Sequence, residues 1–187
     1  SEMCIRDSST PYKIFTPFYQ RGCLTKQPPR KPISNNFSFF DHKIKSLSVN
    51  GLKLLDNLGW ENNVINHWEI GESFAEKQMN NFLKEGLRDY SDGRNFPNKL
   101  NVSRISPYLH WGQISPNILW YELKRLKNVR EKDIEVFKSE LGWREFAYYL
   151  LYHFPYLQKK NLKSNFDNFQ WLDDHVNFEK WSKGYTG

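Results

Sequence analysis

Apolar residues are scattered up to about Trp68 and then fall into step. Phe74, Ala75, Gln78, Met79, Phe82 and Leu83 recur at helical spacing and predict an amphipathic helix from about Gly71 to Leu87. Two Ser-Pro pairs follow, Ser106-Pro107 and Ser115-Pro116, each read as a serine N-cap with proline at the first helical position. The second of these helices runs through Ile118, Leu119, Leu123 and Leu126. It closes on the basic group Lys124, Arg125, Lys127 and Arg130, a favourable placing at the negative end of a helix dipole. A further helix, roughly Asp133 to Phe154, stops before Pro155. No strand-like alternation occurs after Trp68, so this part reads as all-α.

The amino-terminal third has a different texture. In PYKIFTPFYQR, the residues Tyr12, Ile14 and Phe15 predict a short strand that Thr16-Pro17 ends. From Gly22 to about Trp68 the chain is rich in Pro, Asn, Ser and Lys, which reads as a long connector draped over a surface, with a short helix near Val49 to Leu58. Residues Ser1 to Ser8, SEMCIRDS, have no periodicity and no apolar h-region of a signal peptide, and are expected to be a cloning or sequence-assembly remnant.

Composition narrows the picture further. The chain has 187 residues, enough for one domain or pieces of two, and its 17% aromatic content excludes a disordered chain. Seven tryptophans are either core or the lining of a site for planar ligands such as bases or a flavin ring. The charge of +6 makes nucleic acid the first candidate among anionic partners. No apolar run approaches the roughly 18 residues a membrane span needs. Cys4 and Cys23 lack metal-ligand spacing, which suits a reducing cytosol, and the five histidines are scattered, so no metal is expected.

The segment Glu140 to Ala147, ELGWREFA, carries the densest chemistry. Glu140, Trp143, Arg144 and Ala147 follow at steps of three, one and three, which brings them onto one helical face. There a carboxylate can grip a polar edge, an indole offers a flat apolar surface, and a guanidinium supplies fixed donors for phosphate. The alternative is a buried helix with a Glu140–Arg144 pair one turn apart. Tyr90 and Arg94 bracket the turn YSDGR, and eight residues later begins VSRISPYLHWGQISP. Ser103, Arg104 and Ser106 stand at its loop-to-helix junction, where hydroxyls and unpaired backbone N–H groups can hold a phosphate, or where the serines are simply caps.

PYKIFTPF, a long connector, YSDGR, SRISPYLHWGQISP, SELGWREFAYYLLYHFP and FEKWSKGYTG, in that order, resemble the DNA photolyase and cryptochrome family, most nearly a class I-like bacterial photolyase, over about Pro11 to Gly187. The resemblance implies a mainly α chain: the last strand of an α/β antenna domain in residues 1–19, an interdomain connector in 20–68, and the first half of the helical FAD-binding domain in 69–187. It implies light-driven repair of cyclobutane pyrimidine dimers in DNA by electron transfer from reduced FAD, in a cytoplasmic monomer. A second chromophore, of folate or deazaflavin type, would sit in an amino-terminal domain outside this sequence.

By the same resemblance, Tyr90, Phe137, Glu140, Arg144 and Ala147 would contact FAD, and Val102, Ser103, Arg104, Ile105 and Ser106 would hold its pyrophosphate. Arg94 would contact DNA, while Glu140 and Trp143 would receive the flipped dimer. Two positions depart from the pattern. Val102 stands where many members have threonine, and Phe137 where several have tryptophan, which removes one hydroxyl and one indole donor. The family's pattern continues beyond GYTG, so the electron-transfer tryptophans and the remaining FAD ligands are outside this sequence, and this segment alone is expected to be inactive. A signalling cryptochrome and a photolyase for the six-four photoproduct are the alternatives. The Glu140 and Trp143 pair favours dimer repair.

Overall fold

The computed structural model describes residues 10–33, 38, 40, 44–54 and 59–185, which places the expected remnant at residues 1–8 outside the described residues. All regular structure among these residues is helical. In chain order the α-helices are α1 (Phe15–Pro17), α2 (Glu61–Ile65), α3 (Glu72–Asn81), α4 (Tyr90–Gly93), α5 (Ser106–His110), α6 (Pro116–Arg125), α7 (Glu131–His153) and α8 (His175–Ser182). Wider π-helical turns continue α1 through Phe18–Leu24 and α3 through Phe82–Gly86. No helix among the described residues is long and apolar enough to cross a membrane.

Most sequence expectations after Trp68 correspond to these elements. The run 72–86 and the stop of α7 before Pro155 are as the periodicity requires. Ser115 caps α6 by accepting from the Asn117 N–H at 3.2 Å. Ser106, in contrast, lies inside α5, and the residue at the cap position, Ile105, offers no side-chain bond. A buried Ile105 anchors that helix start by packing instead.

The expected strand at Tyr12 to Phe15 is absent. A lone strand leaves its backbone groups without a ladder partner, and here the chain turns helical at Phe15 and lays its aromatic rings on α7. The Tyr12 N–H donates to the Tyr149 hydroxyl at 2.9 Å, which replaces a ladder bond with a side-chain one. In the connector, the helix expected near Val49 to Leu58 is a single 3₁₀ turn, Asn50–Leu52, and residues 55–58 lie outside the described residues. The connector's start is held on the surface of α6, where the Tyr121 hydroxyl donates to the Pro29 carbonyl at 2.8 Å and the Asn117 amide to that of Arg30 at 2.9 Å.

Two apolar clusters flank α7. The larger joins α3, α4, α5 and α6 to one side of it through residues such as Met79, Phe82, Leu87, Leu119, Phe137 and Leu141. The smaller sets Tyr12 and Phe18 against Phe146 and Tyr149. Between them Gly142 admits the Tyr19 ring, because a Cβ there would stand 2.5 Å from that ring. Burial pushes the Tyr19 phenol up to about 12, with Cys23 and Glu135 adding to the shift. Gly142→Ala is therefore expected to lower stability by about 1–3 kcal/mol, although alanine is the better helix former. Thermal unfolding of the two chains compares them directly, and a stabilised variant would refute the close approach.

Candidate active site on the long helix

One stripe of α7 meets the segment from Asp89 to Arg94 through Asp133, Phe137 and Glu140. Asp133, Phe137, Glu140 and Arg144 are spaced by four, three and four, so their side chains line one face. At the first position the fully buried Asp133 carboxylate accepts the backbone N–H of Ser91 at 2.8 Å and of Asp89 at 3.1 Å. It also accepts from the Arg130 guanidinium at 2.9 and 3.2 Å. Burial alone would raise its pKa, but the hydrogen bonds from Arg130 and Ser91 outweigh this and hold it at about 2.

This clamp explains how α4 can be only four residues long. Asp89, just before it, is left-handed with φ of 59°, and Asp133 binds the backbone N–H groups on either side of Tyr90. The Tyr90 ring then meets Phe137 edge-on at 5.4 Å, and Phe82 packs on both. One turn further along α7, Glu140 forms an ion pair with Arg94, each side chain about one-third exposed at 34%. The hydrogen bond to Glu140 raises the Arg94 pKa. Burial pushes the Tyr90 phenol up as well, against the opposing pull of Arg94.

The sequence-predicted residues thus divide. Glu140, Trp143, Arg144 and Ala147 share the accessible side of α7, with Trp143 48% exposed and Ala147 open. Arg144 does not pair with Glu140 as the one-turn spacing allows. Its guanidinium donates to Glu145 at 2.6 Å and lies over the Tyr148 ring at 4.8 Å. Tyr90 and Phe137 are buried in the core and form the site's floor.

The Val102 to Ser106 loop closes one end of the larger core. Gln78 of α3 donates to the Ser103 carbonyl at 2.8 Å, and Arg104 takes the left-handed region at φ 53° with its guanidinium 4.5 Å over Trp68. Val102 and Ser106 are exposed, and Ser103 is half-buried. Sequence reasoning missed Asp133, whose helical spacing to Phe137 and Glu140 puts it on the same stripe but carries no sign of its partners at 89 and 91. It also missed Phe15, whose ring stacks on Trp143 at a centroid distance of 3.7 Å.

Comparison with known proteins decides the family. Residues 137–187 match the family model described as the FAD binding domain of DNA photolyase. The deoxyribodipyrimidine photo-lyase of Agrobacterium fabrum is 37% identical over 184 residues, covering 96% of this chain and 38% of that protein. The crystal structure of a bacterial class III photolyase from Agrobacterium tumefaciens superposes with a TM-score of 0.85 at 36% identity, over 95% of this chain and 38% of that one.

The chain belongs to the DNA photolyase and cryptochrome family. Cryptochrome-2 of Arabidopsis thaliana is also similar, 32% identical over 129 residues that cover 64% of this chain and 21% of that protein. This member spans about two fifths of the length of the photo-lyases it matches, by shares of 38%, 40% and 39%. The resemblance points to a class I-like chain, whereas this solved relative is a class III photolyase.

Proposed function

We propose that this chain forms part of the catalytic domain of a bacterial photolyase that repairs cyclobutane pyrimidine dimers, of the class III kind. The observation that carries this reading is the joint display of Glu140 and Trp143 on the accessible side of α7, with Arg94 fixed beside them by an ion pair. An exposed indole at the centre of a site is costly to leave in water, and a flipped base gives its open face a planar partner.

The residues present fit FAD. Ser103 and Ser106 place hydroxyls beside the accessible start of α5, where the Ser106 N–H has no partner within the helix and Pro107 has no N–H to offer. The left-handed turn at Arg104 sits between them, so a pyrophosphate would find hydroxyl and backbone donors together, while the Arg104 guanidinium lies over Trp68. Arg144 and Ala147 would border the ring system along the same helix. Bound and reduced, FAD supplies on excitation by light the electron that splits the cyclobutane ring. Trp143 would stack on the dimer and keep water from it. Glu140 would accept hydrogen bonds from the base edges, its carboxylate held in place by Arg94. Arg94 would still have guanidinium N–H groups to offer a DNA phosphate. A cytoplasmic monomer with a second antenna chromophore completes the proposal.

The test is repair by the full-length protein that carries this chain: a duplex with one thymine dimer, blue light, and recovery of intact thymines. Light-independent persistence of the dimer, with flavin bound, would sink the reading and favour the cryptochrome alternative that the Arabidopsis relatives keep in view. Rim contacts to phosphate make binding salt-dependent. Arg94→Ala is expected to flatten the slope of log affinity against log salt by roughly one unit, and an unchanged slope would remove Arg94 from the DNA contacts.

A further inference from the structure

We infer that Phe15 is the positioning residue that sets the plane of the Trp143 indole, an inference that rests on the reading of Trp143 as the platform for the damaged bases. Phe15 belongs to the helical turn that replaces the expected strand, far from Trp143 in sequence. Its ring lies face to face with the indole, with centroids 3.7 Å apart and planes 11° apart. Tyr19 continues the stack behind Phe15 at 5.4 Å and 12°. The back of this ladder is fixed in turn, because Tyr19 fills the space over Gly142, where a Cβ would lie 2.5 Å from its ring. Phe146 meets Phe15 and Trp143 near edge-on at 5.9 and 6.0 Å, which closes one side.

Physical chemistry gives this arrangement a task. An indole on an exposed helix position can occupy several rotamers, and ordering it only on binding costs affinity. A ring stacked from behind and met from the side is already ordered, while Trp143 remains 48% exposed for a ligand. Glycine at position 142 admits the supporting ring at a helix position where alanine would otherwise be favoured. The ladder Tyr19, Phe15, Trp143 thus links the amino-terminal segment to the dimer-facing side of α7.

The experiment is a double-mutant cycle in the full-length flavoprotein, reading dissociation constants for duplexes with and without one thymine dimer. Phe15→Leu is expected to weaken dimer-specific binding about threefold to tenfold, with affinity for undamaged duplex unchanged. Phe15→Tyr, which keeps the stacked ring, is expected to stay within about twofold of the parent. In the Trp143→Ala background, Phe15→Leu is expected to cost nothing further, since the ring it supports is gone. Equal losses with and without Trp143, or no loss at all, overturn the assignment. Should Trp143→Ala alone leave dimer-specific binding intact, the failure lies with the platform reading rather than with the stack. If the leucine variant does not fold, Phe15→Met gives the same comparison.

Discussion

Asp133→Ala is expected to destabilise the fold by about 2–4 kcal/mol, the cost of leaving two backbone donors without their buried acceptor. The variant leaves the N–H groups of Asp89 and Ser91 without their acceptor, while the Arg130 guanidinium keeps the Asp89 carboxylate at 2.9 Å. Denaturant unfolding of parent and variant measures it, and a loss below about 1 kcal/mol would mean that water replaces the carboxylate at no cost. The effect also carries a pH signature. The folded-state pKa of about 2 lies below the ordinary 3.8, so the contribution is fully present above the unfolded value and is lost as pH falls through the folded one. A shift of this size corresponds to on the order of 2 kcal/mol. The stability gap between parent and variant should therefore narrow between about pH 4 and pH 2.

That cluster also shows where the sequence stops being legible. The long helix was readable because Pro155 ends it and its apolar positions recur at a helical period. Ser115 could be recognised as a cap because its partner is local, only two residues away. Asp133 could not, since its partners at 89 and 91 are distant in sequence, and an aspartate in a first helical turn ordinarily reads as a helix-dipole residue facing solvent.

The same limit explains the strand that is not there. Tyr12, Ile14 and Phe15 have strand composition, but composition says nothing about whether a neighbouring strand exists to pair with. The rings instead find Trp143, Phe146 and Tyr149 on α7. In the candidate site, helical period puts Glu140, Trp143 and Arg144 on one side of α7, and in the structure all three are at least partly accessible. Their ionic partners were not legible, because Arg94 competes for Glu140 from another element and Glu145 for Arg144 from the next position.

In the full-length protein, Trp143→Ala is expected to weaken binding of dimer-bearing DNA by about 1–3 kcal/mol, the worth of one aromatic ring stacked on a base. The loss should be confined to damaged duplex, because phosphate contacts at the rim do not pass through the indole. Glu140→Ala should behave differently. On the proposed reading the carboxylate would offer acceptors to base edges, and it holds Arg94, so its removal would free a cation beside the DNA and leave affinity nearly unchanged. Its effect should appear in the yield of repair per absorbed photon, because a misaligned dimer receives the electron less productively. Titration with damaged and undamaged duplexes, alongside repair yields under limiting light, separates the two residues. A Trp143 variant that binds and repairs dimers as the parent does would place the dimer elsewhere than on this face of α7.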